Sequence, residues 1–127
     1  MNNQADIEFG FVAASSGETN LSDTETYDEI LADCDLGQDL GFSTAWMIEH
    51  HFSDYYPTPN PLSFLPFIAA RFPDLALGTC VLVTPWYEPL RLAEEIAQLN
   101  ALTKQPLHLG LGRGTAKMEY DAFGIDM

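Results

Sequence analysis

Three consecutive residues, Glu49-His50-His51, carry the densest chemistry in this 127-residue chain, and they stand where the apolar run Trp46-Met47-Ile48 stops. Histidine is the side chain whose ordinary pKa lies close to neutral pH, so His50 or His51 is a candidate general acid or base. Neighbouring side chains on an extended strand point to opposite faces, so the two imidazoles are not expected to reach one ligand atom. The plainer alternative is that one of them is a hydrogen-bonded structural histidine. A metal centre would need a third ligand, supplied by Asp54 or Cys80 only through an accident of folding, and none is expected.

Gly112-Arg113-Gly114 is the second group. Two glycines let the backbone come close to a ligand, and an arginine between them, at a strand end before a helix, suits a phosphate. The alternative is a tight turn with a salt-bridged arginine. Cys80-Val81 lies deep in an apolar run and reads by default as core. Trp86 and Tyr87 either cover an aromatic ligand or cap the rim of the fold.

The elements that must position these groups follow from periodicity. Ile7–Val12 reads as a strand of β-forming residues, followed by a small-residue loop from Ala13 to Asn20. Ser22-Asp23-Thr24-Glu25 offers helix caps, and Tyr27, Ile30, Leu31 and Cys34 form one apolar stripe of a helix over Thr26–Leu40, with Gly41 suited to end it. A second strand spans Thr44–Ile48. Pro61 suits the first turn of a helix over Leu62–Ala70, in which Pro66 predicts a kink or a late start. Leu75–Val83 has no polar alternation and is expected to be buried on both faces, the mark of a parallel sheet. A helix over Leu90–Thr103 turns Leu92, Ile96 and Leu99 inward and Glu94, Glu95 and Gln98 outward. Leu107–Leu111 is a fourth strand, with a further helix starting at Thr115 or Ala116. Alternation of this kind implies an α/β fold with a parallel sheet and right-handed crossovers. It places Ala13–Ser16, Glu49-His50-His51, Thr84-Pro85-Trp86 and Gly112-Arg113-Gly114 at the carboxyl ends of successive strands, where such folds build their sites.

Composition bounds the partners. Nineteen acidic residues against five basic ones give a net charge of −14. Binding nucleic acid or an anionic membrane needs Lys and Arg, so neither is expected, and solubility explains the charge most simply. No apolar run is long enough to span a bilayer and Met1-Asn2-Asn3-Gln4 has no signal-peptide character. Cys34 and Cys80 have no metal or CxxC spacing, and they read as reduced thiols of a cytoplasmic protein.

Taken together, the motifs resemble the bacterial luciferase-like flavin-dependent monooxygenases. The matching segments are Gly41-Phe42-Ser43-Thr44-Ala45-Trp46 into Glu49-His50-His51-Phe52, then Leu77-Gly78-Thr79 and Pro89-Leu90-Arg91-Leu92-Ala93-Glu94-Glu95. Leu109-Gly110-Leu111-Gly112-Arg113-Gly114 follows, with Glu119-Tyr120 and Ala122-Phe123-Gly124-Ile125-Asp126 beyond it. The resemblance implies a TIM (β/α)8-barrel fold, of which residues 1–127 hold the N-terminal half with about four βα units. It also implies reduced FMN delivered by a separate flavin reductase, molecular oxygen, and a small organic substrate to be oxygenated. By position, His50 matches the catalytic histidine and His51 its neighbour. Glu49 stands with the cofactor-binding residues. Cys80-Val81 matches a dipeptide under the isoalloxazine ring, often joined by a non-proline cis bond. Arg113 matches the arginine on the flavin phosphate, and Gly112 the residue at the reactive edge of the ring. The chain departs from the family at Gln105-Pro106, where Gly-Arg is common.

A barrel takes about 250 residues and eight strands. Four strands leave two open edges and an exposed inner face, for which Phe9, Ala45 and Leu77 are the expected barrel-filling residues. Homo-oligomerisation, or completion by another chain, is therefore expected. A catalytically silent half-barrel that acts only by pairing, and a deazaflavin-dependent relative, are the alternatives. The loop Asp54-Tyr55-Tyr56-Pro57-Thr58-Pro59 suggests an apolar or aromatic pocket wall.

Overall fold

The computed structural model describes residues 7–15, 21–53 and 56–127; Ser16 and Asp54, named above, lie outside them. The elements run β1 (Gly10–Val12), α1 (Asp23–Asp39), β2 (Thr44–Met47), α2 (Pro61–Arg71), β3 (Ala76–Val83), a 3₁₀ turn (Thr84–Trp86), α3 (Pro89–Leu102), β4 (Leu107–Gly112) and α4 (Lys117–Phe123). The strands form one sheet in the order β1-β2-β3-β4, every neighbouring pair parallel. The α/β alternation and parallel sheet expected from the sequence are therefore present.

Local chemistry sets the boundaries. Ser22 caps α1 as the first half of a capping box: its hydroxyl accepts the Glu25 N–H, and the Glu25 carboxylate accepts the Ser22 N–H at 2.8 Å. The chain leaves α1 through Gly41 at φ +82°, a conformation glycine adopts without penalty. Pro61 opens α2 behind an Asn60 cap. The helix neither starts late nor breaks at Pro66; it continues to Arg71, starting one residue earlier than expected. β1 is shorter than the sequence suggests, because Ile7 and Phe9 lie outside the ladder and are exposed.

The core lies between the sheet and its helices. Phe11, Ala45, Met47, Leu77 and Leu82 from the strands meet Ile30, Cys34, Leu65, Ile68, Leu92 and Leu99 from the helices. Each large aliphatic side chain fully buried there contributes about 1.5–3 kcal/mol of hydrophobic stabilisation. The expected inner-face residues need correction. Ala45 and Leu77 are both 1% exposed because they point at the helices, and the opposite face carries Gly10, Trp46, Gly78 and His108. Trp46 fills the space that the glycines leave: a Cβ on Gly78 would lie 2.4 Å from its ring. It stacks on His108 with centroids 5.6 Å apart.

β3 departs from the expected burial on both faces at one place. Cys80 is exposed and Val81 half-buried, while the rest of the strand is buried. Here β3 passes three steps, Thr79 to Leu82, against two on β4, Leu109 to Leu111. Such a bulge re-aims a side chain at the edge of a site. The Cys80–Val81 peptide within it is cis. Thr79 satisfies the interrupted ladder: its hydroxyl donates to the Gly110 carbonyl at 3.0 Å and accepts the Gly110 N–H at 3.1 Å.

Candidate functional site

The parallel register brings the ends of β2, β3 and β4 to one rim, and a cleft of about 360 Å³ opens between them. Glu49 and His50 line it from the end of β2, Cys80 and Val81 from the β3 bulge, Gly112 and Arg113 from the end of β4, and Glu119 from α4. Six of the seven site residues expected from the sequence thus share one wall. His51 is not on it.

His51 faces the other way and is used internally. Its side chain is 11% exposed, and its Nε2 lies 2.9 Å from Glu49 Oε1. Its ring packs edge-on against Phe123 at 4.9 Å, within a cluster that includes Trp86 and Phe52. Glu49, 4% exposed, uses its second oxygen to accept the Val83 N–H at 2.8 Å. This carboxylate therefore fastens the end of β2 to the end of β3. Burial pushes the Glu49 carboxyl above its usual range, against the opposing pull of His51, the Val83 N–H and the Tyr87 hydroxyl. Burial, and next the charge of Glu49, push the Tyr87 hydroxyl up in turn.

His50 is the accessible imidazole, with 41% of its side chain exposed. Its Nδ1 lies 3.2 Å from Glu119 Oε1, and its ring stacks on Tyr56 with centroids 5.5 Å apart. The same Glu119 oxygen accepts the His51 main-chain N–H at 2.9 Å. Glu119 is 2% exposed although it belongs to a short surface helix. The next residue, Tyr120, donates its hydroxyl to the Arg113 carbonyl.

Arg113 is the cation of the cleft. Among the described residues, Arg91 is paired with Glu94 and Glu95, Lys117 with Asp121, and Arg71 lies over the Phe72 ring. Lys104 sits before β4, at the opposite end of the sheet from the cleft. Arg113 is exposed, and no carboxylate among the described residues comes within ion-pair distance of its guanidinium. No group of three or more metal-ligating side chains occurs among the described residues. Both cysteines are free. Cys34 is buried and its thiol pushed up to about 12 by burial, whereas Cys80 is open to the cleft.

Sequence reasoning passed over Glu119 and Tyr120 as parts of the site; they entered only as matching letters of a motif. An acid and a tyrosine adjacent on a helix of one or two turns carry no periodic signal, and their role appears once α4 is folded back against β2.

The described residues thus bring an acid–imidazole pair and an arginine with no carboxylate partner among them to the carboxyl rim of a parallel α/β sheet. The chain matches the luciferase-like monooxygenase family over residues 7–127, and it belongs to that family. It is 30% identical over 105 residues, 80% of its length, to the oxygenase component of the flavin-dependent trigonelline monooxygenase of Acinetobacter baylyi, of which this covers 29%. Monooxygenase RslO1 from Streptomyces bottropensis is 31% identical and superposes with a TM-score of 0.86, over 95% of this chain and 37% of that one. The oxygenating constituent of 3,6-diketocamphane monooxygenase of Pseudomonas putida, solved with FMN, has a TM-score of 0.87 at 20% identity, over 94% of this chain and 33% of that one. The last likeness speaks to the fold alone. The chain spans about a third of the length of the curated relatives it matches.

Proposed function

We propose that residues 1–127 form the N-terminal part of a flavin-dependent monooxygenase that oxygenates a small organic substrate with reduced FMN and O2. The observation that carries this reading is Arg113, which has no carboxylate partner among the described residues, on the wall of a cleft that also holds His50 and the Cys80–Val81 bulge. The residues present fit the cofactor. A guanidinium with no carboxylate partner among the described residues suits a dianionic phosphate; the space beside Gly112 and Gly114 is taken by Val81 and Val83, against which a Cβ would lie at 2.7 Å. Cys80 and Val81 offer an uncharged surface for a flat ring, and the main chain of Gly112 borders it.

When bound, the flavin supplies the electrons and the activation of oxygen. The chain's own residues bind, orient and move protons. Arg113 holds the phosphate, and Tyr120 holds the Arg113 main chain. His50 takes or gives the proton on the substrate side. In this reading Glu49 acts through β3, keeping the bulge in place, and His51 orients Glu49 instead of touching the reacting atoms. Reduced FMN comes from a separate reductase, as the words "oxygenase component" in the name of the trigonelline relative support.

The test is a titration of the purified chain with FMN and with riboflavin, oxidised and anaerobically reduced. Saturable FMN binding is expected, with Arg113→Ala weakening FMN far more than riboflavin, which lacks the phosphate. Alkylation of Cys80 provides a second readout: bound FMN should slow it, while Cys34 stays unreactive until the chain unfolds. Equal loss of FMN and riboflavin in Arg113→Ala would remove the phosphate assignment. Preference for a deazaflavin over FMN would select the alternative cofactor.

A further inference from the structure

We infer that Glu119 is a positioning residue that holds His50 as its Nδ1–H tautomer and so leaves Nε2 as the proton acceptor on the cleft. Proton transfer by His50 rests on the reading above; the tautomer does not.

The inference starts from one oxygen. Glu119 Oε1 already accepts the His51 main-chain N–H at 2.9 Å, so it acts as an acceptor. Its second contact, 3.2 Å from His50 Nδ1, then requires the ring to donate. Which nitrogen of a neutral imidazole carries the proton is set by the bond made at the other nitrogen. With Nδ1–H committed to Glu119, the lone pair of the neutral ring lies at Nε2, for which the described residues provide no hydrogen-bond partner. Tyr56 stacks on the ring face and restrains its rotation. A proton taken from an acidic O–H or C–H of the substrate would enter at Nε2. The resulting imidazolium would face the Glu119 carboxylate, and the conjugate base would stay with the substrate.

The geometry also says why the acid comes from α4. Glu119 reaches the end of β2, while Tyr120 reaches the Arg113 carbonyl at the end of β4. Adjacent residues of one short helix therefore fix the proton-transfer group and the main chain of the free cation. Burial of Glu119 at 2% exposure is costly for a carboxylate unless hydrogen bonds compensate it, and these two N–H groups supply that compensation.

The test is long-range ¹H–¹⁵N NMR of the ¹⁵N-labelled chain, at a pH well above the ordinary histidine range, with His50→Gln to assign its signals. The expected result is that the Nδ1–H form of His50 is the majority in the parent chain. It should fall to the minority in Glu119→Leu, which keeps the bulk and removes the acceptor oxygen, and Glu119→Asp should restore it in part, with far-ultraviolet circular dichroism unchanged. A purely structural Glu119 would leave the tautomer unmoved. An Nε2–H majority in the parent chain, or the same Nδ1–H population in Glu119→Leu, overturns the inference. If Glu119→Leu does not fold, the parent spectrum still decides. Failure of FMN to bind would sink the monooxygenase reading while leaving this spectrum interpretable.

Discussion

The two histidines at the rim are neighbours in sequence and opposites in circumstance. His51 is enclosed and bonded to Glu49, and His50 is open on one edge and bonded to Glu119. Strand geometry alone predicted that they would part; only the fold says which goes where. Glu49 has a consequence for stability. Its carboxyl is pushed above the usual 4.5 by burial, so the native chain binds a proton there more tightly than the unfolded chain does. In the window that starts near 4.5 and extends up to the raised native value, the unfolded state carries fewer protons at this site. The contribution of Glu49 to stability therefore falls as pH rises through that window. Glu49→Gln should remove this slope. Urea midpoints measured against pH for both chains should diverge in favour of the variant as pH increases. A constant difference would mean that the hydrogen bonds from His51 and Val83 offset burial, and a reversed slope that they outweigh it.

At the scale of elements, the bulge in β3 and the glycines of β4 belong together. A Cβ on Gly110 would lie 2.3 Å from the Thr79 carbonyl oxygen, which is main chain and cannot rotate away. Gly110→Ala should therefore cost about 1–3 kcal/mol, the range for overpacking a well-filled site, and should open β4 from β3 next to the cleft. Thermal unfolding and hydrogen exchange of the Gly110 region would register this; an unchanged melting temperature would contradict it. Most of the helices and strands were legible beforehand because apolar stripes and caps declare themselves, as Ser22, Gly41 and Pro61 do. The bulge was not legible, because Leu75–Val83 is apolar throughout and an extra residue leaves no trace in an unalternating run. Pro66 misled in the other direction. Proline removes one helical hydrogen bond, but Leu62, Leu65 and Ile68 are buried to either side, and this packing carries α2 through it. In the site, the residue types at strand ends were readable one by one, whereas contacts between α4 and β2, such as Glu119 to His50, depend on a fold-back that no local pattern encodes.

At the scale of the whole molecule, the sheet formed by the described residues ends in two edges, β1 and β4, with no further strand among those residues. Apolar side chains lie exposed along both, with Val12 at 54% and Leu111 at 55%. Open parallel edges beside apolar surface favour pairing with further strands. The net charge of −14 opposes that between copies of this chain, through repulsion that salt screens. The chain is therefore expected to associate, and to do so more strongly as ionic strength rises. Light scattering across a salt series checks this, and Leu111→Lys should lower the associated fraction. A monomer at every salt concentration would mean that the edges protect themselves.

The face opposite the helices holds a built-in optical gauge. The chain has two tryptophans, and they stand in different worlds. Trp86 sits in the aromatic cluster at the rim, stacked on Phe123. Trp46 fills the gap over Gly10 and Gly78, on the side from which any completing strands must arrive. Its emission colour and its exposure to quenchers therefore report on closure of the inner surface, while Trp86 reports on the rim, so one spectrum follows two separate events without an added label.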